Sequence, residues 1–248
     1  MTEARHCIFT SAGDRNNIAR WMDGRSDRSW DLITVYYDDD EKQFELLKDL
    51  SRVCIRRSGS KFQNLKAVFD SHPELFAGYS RVWVADDDVI MSADQIEEAL
   101  ALCDQFDFWV AQPSFAPGSK APHAVTRTQY PQTDLRLVTF LEMTCPIFRT
   151  DKLVDFLAVY DSSVMGWGID WWFCYHLGSE TNWRLAVLDC VQVVNPLPEQ
   201  RAGGQREILR LASNEERQAQ WERVRAALGM NYFKPRTLAA ISIPAGQR

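Results

Sequence analysis

Between Arg81 and Ala85 the chain reads RVWVA, a short β-branched and aromatic run that ends on three consecutive aspartates, Asp86, Asp87 and Asp88. Such a run is a buried strand, and its sudden end in charge marks the edge of the core. Similar units precede it. His6 to Ser11 (HCIFTS) reads as a strand, and Ser11, Ala12 and Gly13 suit a tight strand-to-helix turn. Leu32 to Tyr37 (LITVYY) ends in Asp38, Asp39 and Asp40, and Val53 to Arg57 leads through Ser58 and Gly59 into a segment with Phe62, Leu65 and Phe69 at helical spacing. Beyond the triplet, Ser92 and Gln95 predict a capped helix with Ile96, Leu100 and Cys103 on its apolar stripe, and Phe108 to Val110 is the next strand. Strand and helix alternate. The expected fold is therefore α/β, with a mostly parallel central sheet flanked by helices.

The later chain is less regular. Residues 111–139 carry Pro113, Pro117, Gly118, Pro122 and Pro131 and read as a long irregular crossing with room for edge strands. Phe140 to Phe148 contains the apolar pieces FLEM and IF, and Thr150 suits the cap of a helix carrying Leu153, Phe156, Leu157 and Tyr160. Gly166, Trp167, Gly168 and Asp170 form a second irregular piece, and Leu185 to Leu188 is a late strand ending on Asp189. One domain is expected over 1–248, with 205–248 a C-terminal helical extension packed on it. In that extension Ser213 and Glu216 form a capping box, Trp221, Val224 and Leu228 share a face, and Gly203 and Gly204 mark the break before it.

Composition excludes several function classes. With 28 basic and 34 acidic residues the net charge is −6, and no stretch concentrates positive charge, which argues against nucleic-acid binding and docking on an anionic membrane. The chain is 46% apolar and 25% charged, the balance of an ordinary globular protein rather than a disordered one. Its six cysteines are dispersed without a CxxC pair and fit reduced, buried thiols. No leader pattern and no apolar run of transmembrane length is visible, so the expected location is the cytoplasm.

The aspartate triplet lies where ligands bind in open α/β sheets, beyond the carboxyl ends of strands. In extended chain Asp86 and Asp88 point the same way, and two such carboxylates suit one hard cation able to neutralise a diphosphate. A solvated acidic turn is the alternative, and the run Asp38 to Asp40, which leads into a polar helix start, illustrates it. Gly166 and Gly168 allow a tight turn that presents Trp167 to a sugar or base, with Asp170 able to meet an acceptor hydroxyl. Packing in an aromatic core with Trp171, Trp172 and Phe173 is the other reading of Trp167. Glu142 interrupts apolar neighbours, and an acid so placed is usually paired or functional.

The blocks SKFQNLKAVF, RVWVADDDVIM, QPSF, TRT, FLEMTCPIF and GWGIDWWF, in that order from about Lys61 to Pro198, resemble the DUF707 family, which looks like a glycosyltransferase of the GT-A type. The resemblance places Asp86, Asp87 and Asp88 on an acidic triplet, Glu142 on a glutamate block and Gly166 to Asp170 on a Gly-Trp-Gly-Leu-Asp motif. It implies a nucleotide-sugar fold. The turn near Thr10 to Arg15, Asp38, and Lys61, Asn64 and Lys66 would then approach the donor, together with Asp86, Asp87 and Trp167. Mn2+ or Mg2+ would be held by Asp88 and Asp86. Asn195 stands where the family pattern has a histidine, and it offers a carbonyl oxygen instead of an imidazole nitrogen. The implied reaction moves a sugar from a nucleotide-diphosphate donor, UDP-linked, to a carbohydrate or other hydroxyl acceptor. Asp170 is the preferred catalytic base and Glu142 its alternative. A noncatalytic nucleotide-sugar or carbohydrate binding protein on the same scaffold is the second reading.

Overall fold

The structure is a computed structural model that describes residues 5–197, 207–244 and 246. The predicted β/α alternation is present in the first half: β1 (His6–Ala12), α1 (Ile18–Met22), β2 (Trp30–Tyr36), α2 (Glu41–Leu50), β3 (Val53–Arg56), α3 (Lys61–Ser71), β4 (Arg81–Asp86) and α4 (Ala93–Gln105). Caps read from sequence set the helix starts. The Asp40 carboxylate accepts the Lys42 and Gln43 N–H groups, and Ser92 and Gln95 form a capping box.

The second half comprises β5 (Val110–Phe115), β6 (Leu135–Val138), β7 (Ile147–Arg149), α5 (Thr150–Val159), α6 (Ile169–His176), α7 (Ser179–Asn182), β8 (Leu185–Val193), α8 (Glu207–Leu211), α9 (Asn214–Ala227) and β9 (Thr237–Ile241). Several expectations change here. The strand expected at Phe108 to Val110 instead begins at Val110 and runs through Pro113 to Phe115, and the irregular crossing does hold a strand, β6, which sits between β8 and β9 rather than at the sheet edge. Pro113 misleads because proline is rare in central strands; it is tolerated here at a shift in the β5–β8 register, between Pro113 and Ser114. Thr150 is the first helical residue of α5 rather than its cap, and its hydroxyl donates to the Tyr79 carbonyl at 2.7 Å. Asp170 lies in the first turn of α6, and Asp189 lies within β8 instead of ending it. The described part of the 205–248 extension holds α8 and α9, with the expected Ser213–Glu216 capping box, but it also returns β9 to the sheet edge. Gly203 and Gly204 lie outside the described residues.

The strands form one nine-stranded sheet in the order β3-β2-β1-β4-β7-β5-β8-β6-β9. It is mixed, not mostly parallel. Pairs β1–β2, β1–β4, β2–β3 and β5–β8 are parallel, whereas β7 sits antiparallel between β4 and β5, and β6 sits antiparallel between β8 and β9. Alternating side chains feed two cores. Cys7 and Phe9 of β1 pack with Phe62, Phe156, Trp172 and Trp221 on one face, and Ile8 packs with Trp21, Trp83 and Leu100 on the other. The six cysteines form no disulfide, with Cys54 and Cys190 half-buried and the others buried. Among the described residues no helix is long and apolar enough to cross a membrane.

Candidate active site

The parallel strands β1 and β4 end side by side, and a cavity of about 510 Å³ opens beyond them. Its wall includes Asp86, Asp87, Asp88, Lys61, Glu142, Trp167, Asp170 and Asn195, so residues read from widely separated motifs converge. Four others, Thr10, Lys66, Asp38 and Asn64, stand outside the lining. Thr10 is fully buried inside β1, Lys66 pairs with Asp70 one turn along the outer face of α3, and Asp38 pairs with Arg210 at 2.6 Å.

The two acidic runs share a structural task. Asp87 Oδ2 accepts the Gly13 N–H at 3.0 Å, and Asp38 Oδ2 accepts the Asp14 N–H at the same distance, so the turn after β1 is tied to both. Gly13 is needed there, since a Cβ would lie 2.6 Å from Asp38 Oδ2. Asn17 Nδ2 donates to the Asp88 carbonyl at 2.7 Å. After the triplet, Ile90 and Val194 exchange backbone hydrogen bonds of 2.9 and 3.1 Å, which carries Asn195 to the cavity. The Asn195 amide nitrogen donates to the Lys120 carbonyl at 2.8 Å.

Lys61 is buried at 7% exposure and does not project freely toward a donor. Its ammonium lies 2.7 Å from Asp86 Oδ1 and donates to the carbonyls of Met143 and Thr144 at 2.6 and 2.9 Å. Asn64 is likewise internal, its amide bonding Ser11 Oγ at 3.0 Å and the Gly59 carbonyl at 2.8 Å.

Glu142 and Asp170 form the acidic floor. Glu142 is 4% exposed and accepts the Thr126 hydroxyl at 2.6 Å. Burial pushes its carboxyl up to about 7, assisted by the nearby Asp170 charge and opposed by the hydrogen bonds from Thr126 and the His123 N–H. Asp170 is half-buried, and desolvation pushes it up to about 7 as well, against the N–H groups of Trp171 and Met143 that favour its charged form. Two carboxyls of raised proton affinity facing one cavity are suited to proton transfer near neutral pH.

Trp167 stands 44% exposed at the cavity wall, outside the aromatic core that holds Trp172. Its flanking glycines have positive φ, 73° at Gly166 and 83° at Gly168, and both meet the C-terminal helices. A Cβ on Gly166 would lie 2.3 Å from Ile208 Cδ1, and one on Gly168 would lie 2.1 Å from the Trp221 ring. The turn is thus braced from beneath. Sequence reasoning missed this C-terminal wall, where Glu207, Ile208 and Arg217 also line the cavity, and it missed His123. The His123 ring packs on Phe140 at a centroid distance of 4.3 Å, and burial lowers its proton affinity. Nothing local distinguishes these residues in sequence, because the contacts that bring them in are long-range.

The donor set of the triplet and Asn195 is all oxygen, the chemistry of Mg2+ and Mn2+. Among the described residues no group of three or more His, Cys, Asp and Glu side chains is arranged to hold an ion. The residues still fit an ion shared with a ligand, since Mg2+ is commonly bound by one or two carboxylates plus substrate phosphates.

Comparison with solved structures shows that the fold is GT-A-like. S. aureus TarS 1-349 superposes with a TM-score of 0.58 at 13% identity, over 79% of this chain and 61% of that one. The same fragment in complex with UDP-GlcNAc gives 0.57 at 14% identity, over 87% and 69%. GalNAc-T7 with UDP, GalNAc and Mn2+ gives 0.58 at 10% identity, over 91% of this chain and 48% of that one. These neighbours are GT-A-like glycosyltransferases, and this chain spans about three fifths of TarS 1-349 and about half of GalNAc-T7. No protein-family model matches the sequence, and no curated protein matches it. The DUF707 resemblance rests on the motif blocks alone.

Proposed function

We propose that this chain transfers a sugar from a nucleotide-diphosphate donor, UDP-linked, to a hydroxyl of a carbohydrate or other acceptor. The observation that carries the reading is the convergence, in one cavity at a strand end, of oxygen donors for a hard cation with two carboxyls titrating near neutrality. The charge balance supports it too. Six lining carboxyl groups oppose three cationic side chains, so an anionic diphosphate calls for additional positive charge. Asp88 and the Asn195 carbonyl oxygen would hold Mn2+ or Mg2+ together with the donor. When bound, the ion supplies neutralisation of the leaving diphosphate.

Asp170 accepts the acceptor's proton. It is the more exposed of the two carboxyls, whereas Glu142 is held from behind by Thr126 and His123. With a carboxyl near 7, Asp170 is partly ionised at neutral pH and matched to general-base work. Glu142 lies beside it, and the Asp170 charge helps to raise the proton affinity of Glu142. Trp167, on its braced turn, offers an aromatic face to a sugar ring.

Calorimetric titration with UDP, with and without Mn2+, tests the reading. Wild type is expected to bind UDP in a Mn2+-dependent manner, and Asp88→Ala is expected to lose that dependence while remaining folded. An unchanged metal-dependent affinity in the variant overturns the Asp88 assignment. Consumption of a UDP-sugar then separates an enzyme from a binding protein, which would retain affinity without turnover.

A further inference from the structure

Lys61 occupies a place that two elementary effects oppose. It is the first residue of α3, where the positive end of the helix dipole disfavours a cation, and its side chain is removed from water. Four oxygens compensate. Besides Asp86 and the carbonyls of Met143 and Thr144, the Val84 carbonyl accepts from the ammonium at 3.2 Å. An ammonium carries three N–H groups, so these acceptors use all of them and leave none for a donor molecule.

The partners join two parts of the cavity. Val84 and Asp86 belong to β4, and Met143 and Thr144 follow Glu142 directly. Thr144 also accepts the Asp86 N–H at 2.8 Å, and the Met143 N–H bonds the Asp170 carboxylate. One side chain therefore stands between the aspartate triplet and both carboxyls of the floor.

Building on the glycosyl-transfer reading, we infer that Lys61 is a positioning residue. It holds Asp86 as its own counter-ion, leaves Asp88 as the triplet carboxylate for a divalent ion, and fixes the peptides that carry Glu142 and orient Asp170. In this arrangement the first aspartate of the triplet is neutralised by the protein itself. The Asp86 side chain then adds no ligand to the ion.

The test is Mn2+ titration in the presence of UDP, with thermal denaturation as a control for folding. Asp88→Asn is expected to weaken Mn2+ binding by about tenfold or more, whereas Asp86→Asn, which removes no ligand but leaves the Lys61 ammonium without its counter-ion, weakens it by about threefold at most. Lys61→Met releases the Asp86 carboxylate and is expected to tighten Mn2+ binding by about tenfold while transfer falls. A merely structural lysine would leave the affinity unchanged or weaken it, and either result overturns the inference. Should Lys61→Met fail to fold, the two aspartate variants decide, and equal losses in both count against it. Wild type that binds UDP with Mn2+ while the aspartate variants lose equally would reject Lys61's role and keep the proposed function. Wild type that binds neither would reject both.

Discussion

Strands β1 to β4 pair in parallel through successive β/α units, whereas β5 to β9 reach their places through an antiparallel insertion, a register shift and a buried ion pair. In the first region each helix returns the chain beside a strand already laid down. Local periodicity then suffices to place a strand. In the second region placement depends on polar groups far apart in sequence. Arg136 of β6 and Asp189 of β8 are both fully buried, 2.7 Å apart at their nearest atoms, and Asp189 also accepts the Gln129 N–H and the Thr133 hydroxyl. The first region is specified by pattern and the second by particular contacts, so single substitutions should act more severely on the second.

The severest expected break is Arg136→Met, which leaves Asp189 as an uncompensated buried charge and should cost about 3–5 kcal/mol. Denaturant unfolding measures it. Arg136→Met combined with Asp189→Leu should recover much of the loss, and failure to recover would mean that the pair does more than balance charge.

Next in size, Asp170→Asn preserves shape but removes the base, so transfer should fall by about 10²-fold, equivalent to about 2.7 kcal/mol of transition-state stabilisation. UDP affinity should persist, because the proposed role of Asp170 is toward the acceptor hydroxyl and not the donor. Steady-state turnover alongside calorimetry checks the division, and equal losses in both would dissolve it.

Gly168→Ala should destabilise by about 1–3 kcal/mol, because it places a Cβ inside the Trp221 ring contact at a positive φ. Thermal unfolding measures the shift. The effect should shrink when Trp221 is also made smaller, as expected for residues in contact.

A smaller effect follows from the raised carboxyls at 142 and 170. The folded state keeps protons that the unfolded chain releases above about pH 4, so this contribution to stability is full below that pH. It is lost as pH rises through about 7, the value for both carboxyls. Unfolding free energy measured from pH 4 to 8 should carry this downward component, and Glu142→Gln with Asp170→Asn should remove it. Turnover runs oppositely, rising through the same interval as the base ionises.

The smallest expected effect lies in the first region. Lys66→Ala removes an exposed i,i+4 pair with Asp70 and should change stability by about 0.3–0.5 kcal/mol. UDP affinity should not move, since Lys66 is absent from the cavity wall.

These contrasts explain what was legible in the sequence. RVWVADDD announced both a strand and the place where it ends, because apolar run and charge are adjacent. Ser92, Asp40 and Ser213 announced helix starts, because capping is local. Pro113 hid β5, since its tolerance depends on a register shift across two strands, and Asp189 looked like a strand end because its partner Arg136 is distant in sequence. Within the site, Asp86 stood out in an acidic run at a strand end, Glu142 as an acid between apolar residues, and Asp170 just after the Gly-Trp-Gly turn. Arg217, Glu207 and His123 did not, because the cavity recruits them through the packing of α8, α9 and the turn before β6.

The contact between Gly168 and Trp221 also constrains how this sequence can diverge. While the indole remains, any side chain at 168 meets its ring, so the glycine is locked by a residue from another part of the chain. Shrinking residue 221 first opens the space, after which an asparagine, tolerant of positive φ, becomes admissible at 168. The reverse order passes through a clash. Homologues of this chain should therefore lose the second glycine of the Gly-Trp-Gly turn only in lineages that have already given up the tryptophan, a historical order imposed by a single van der Waals surface.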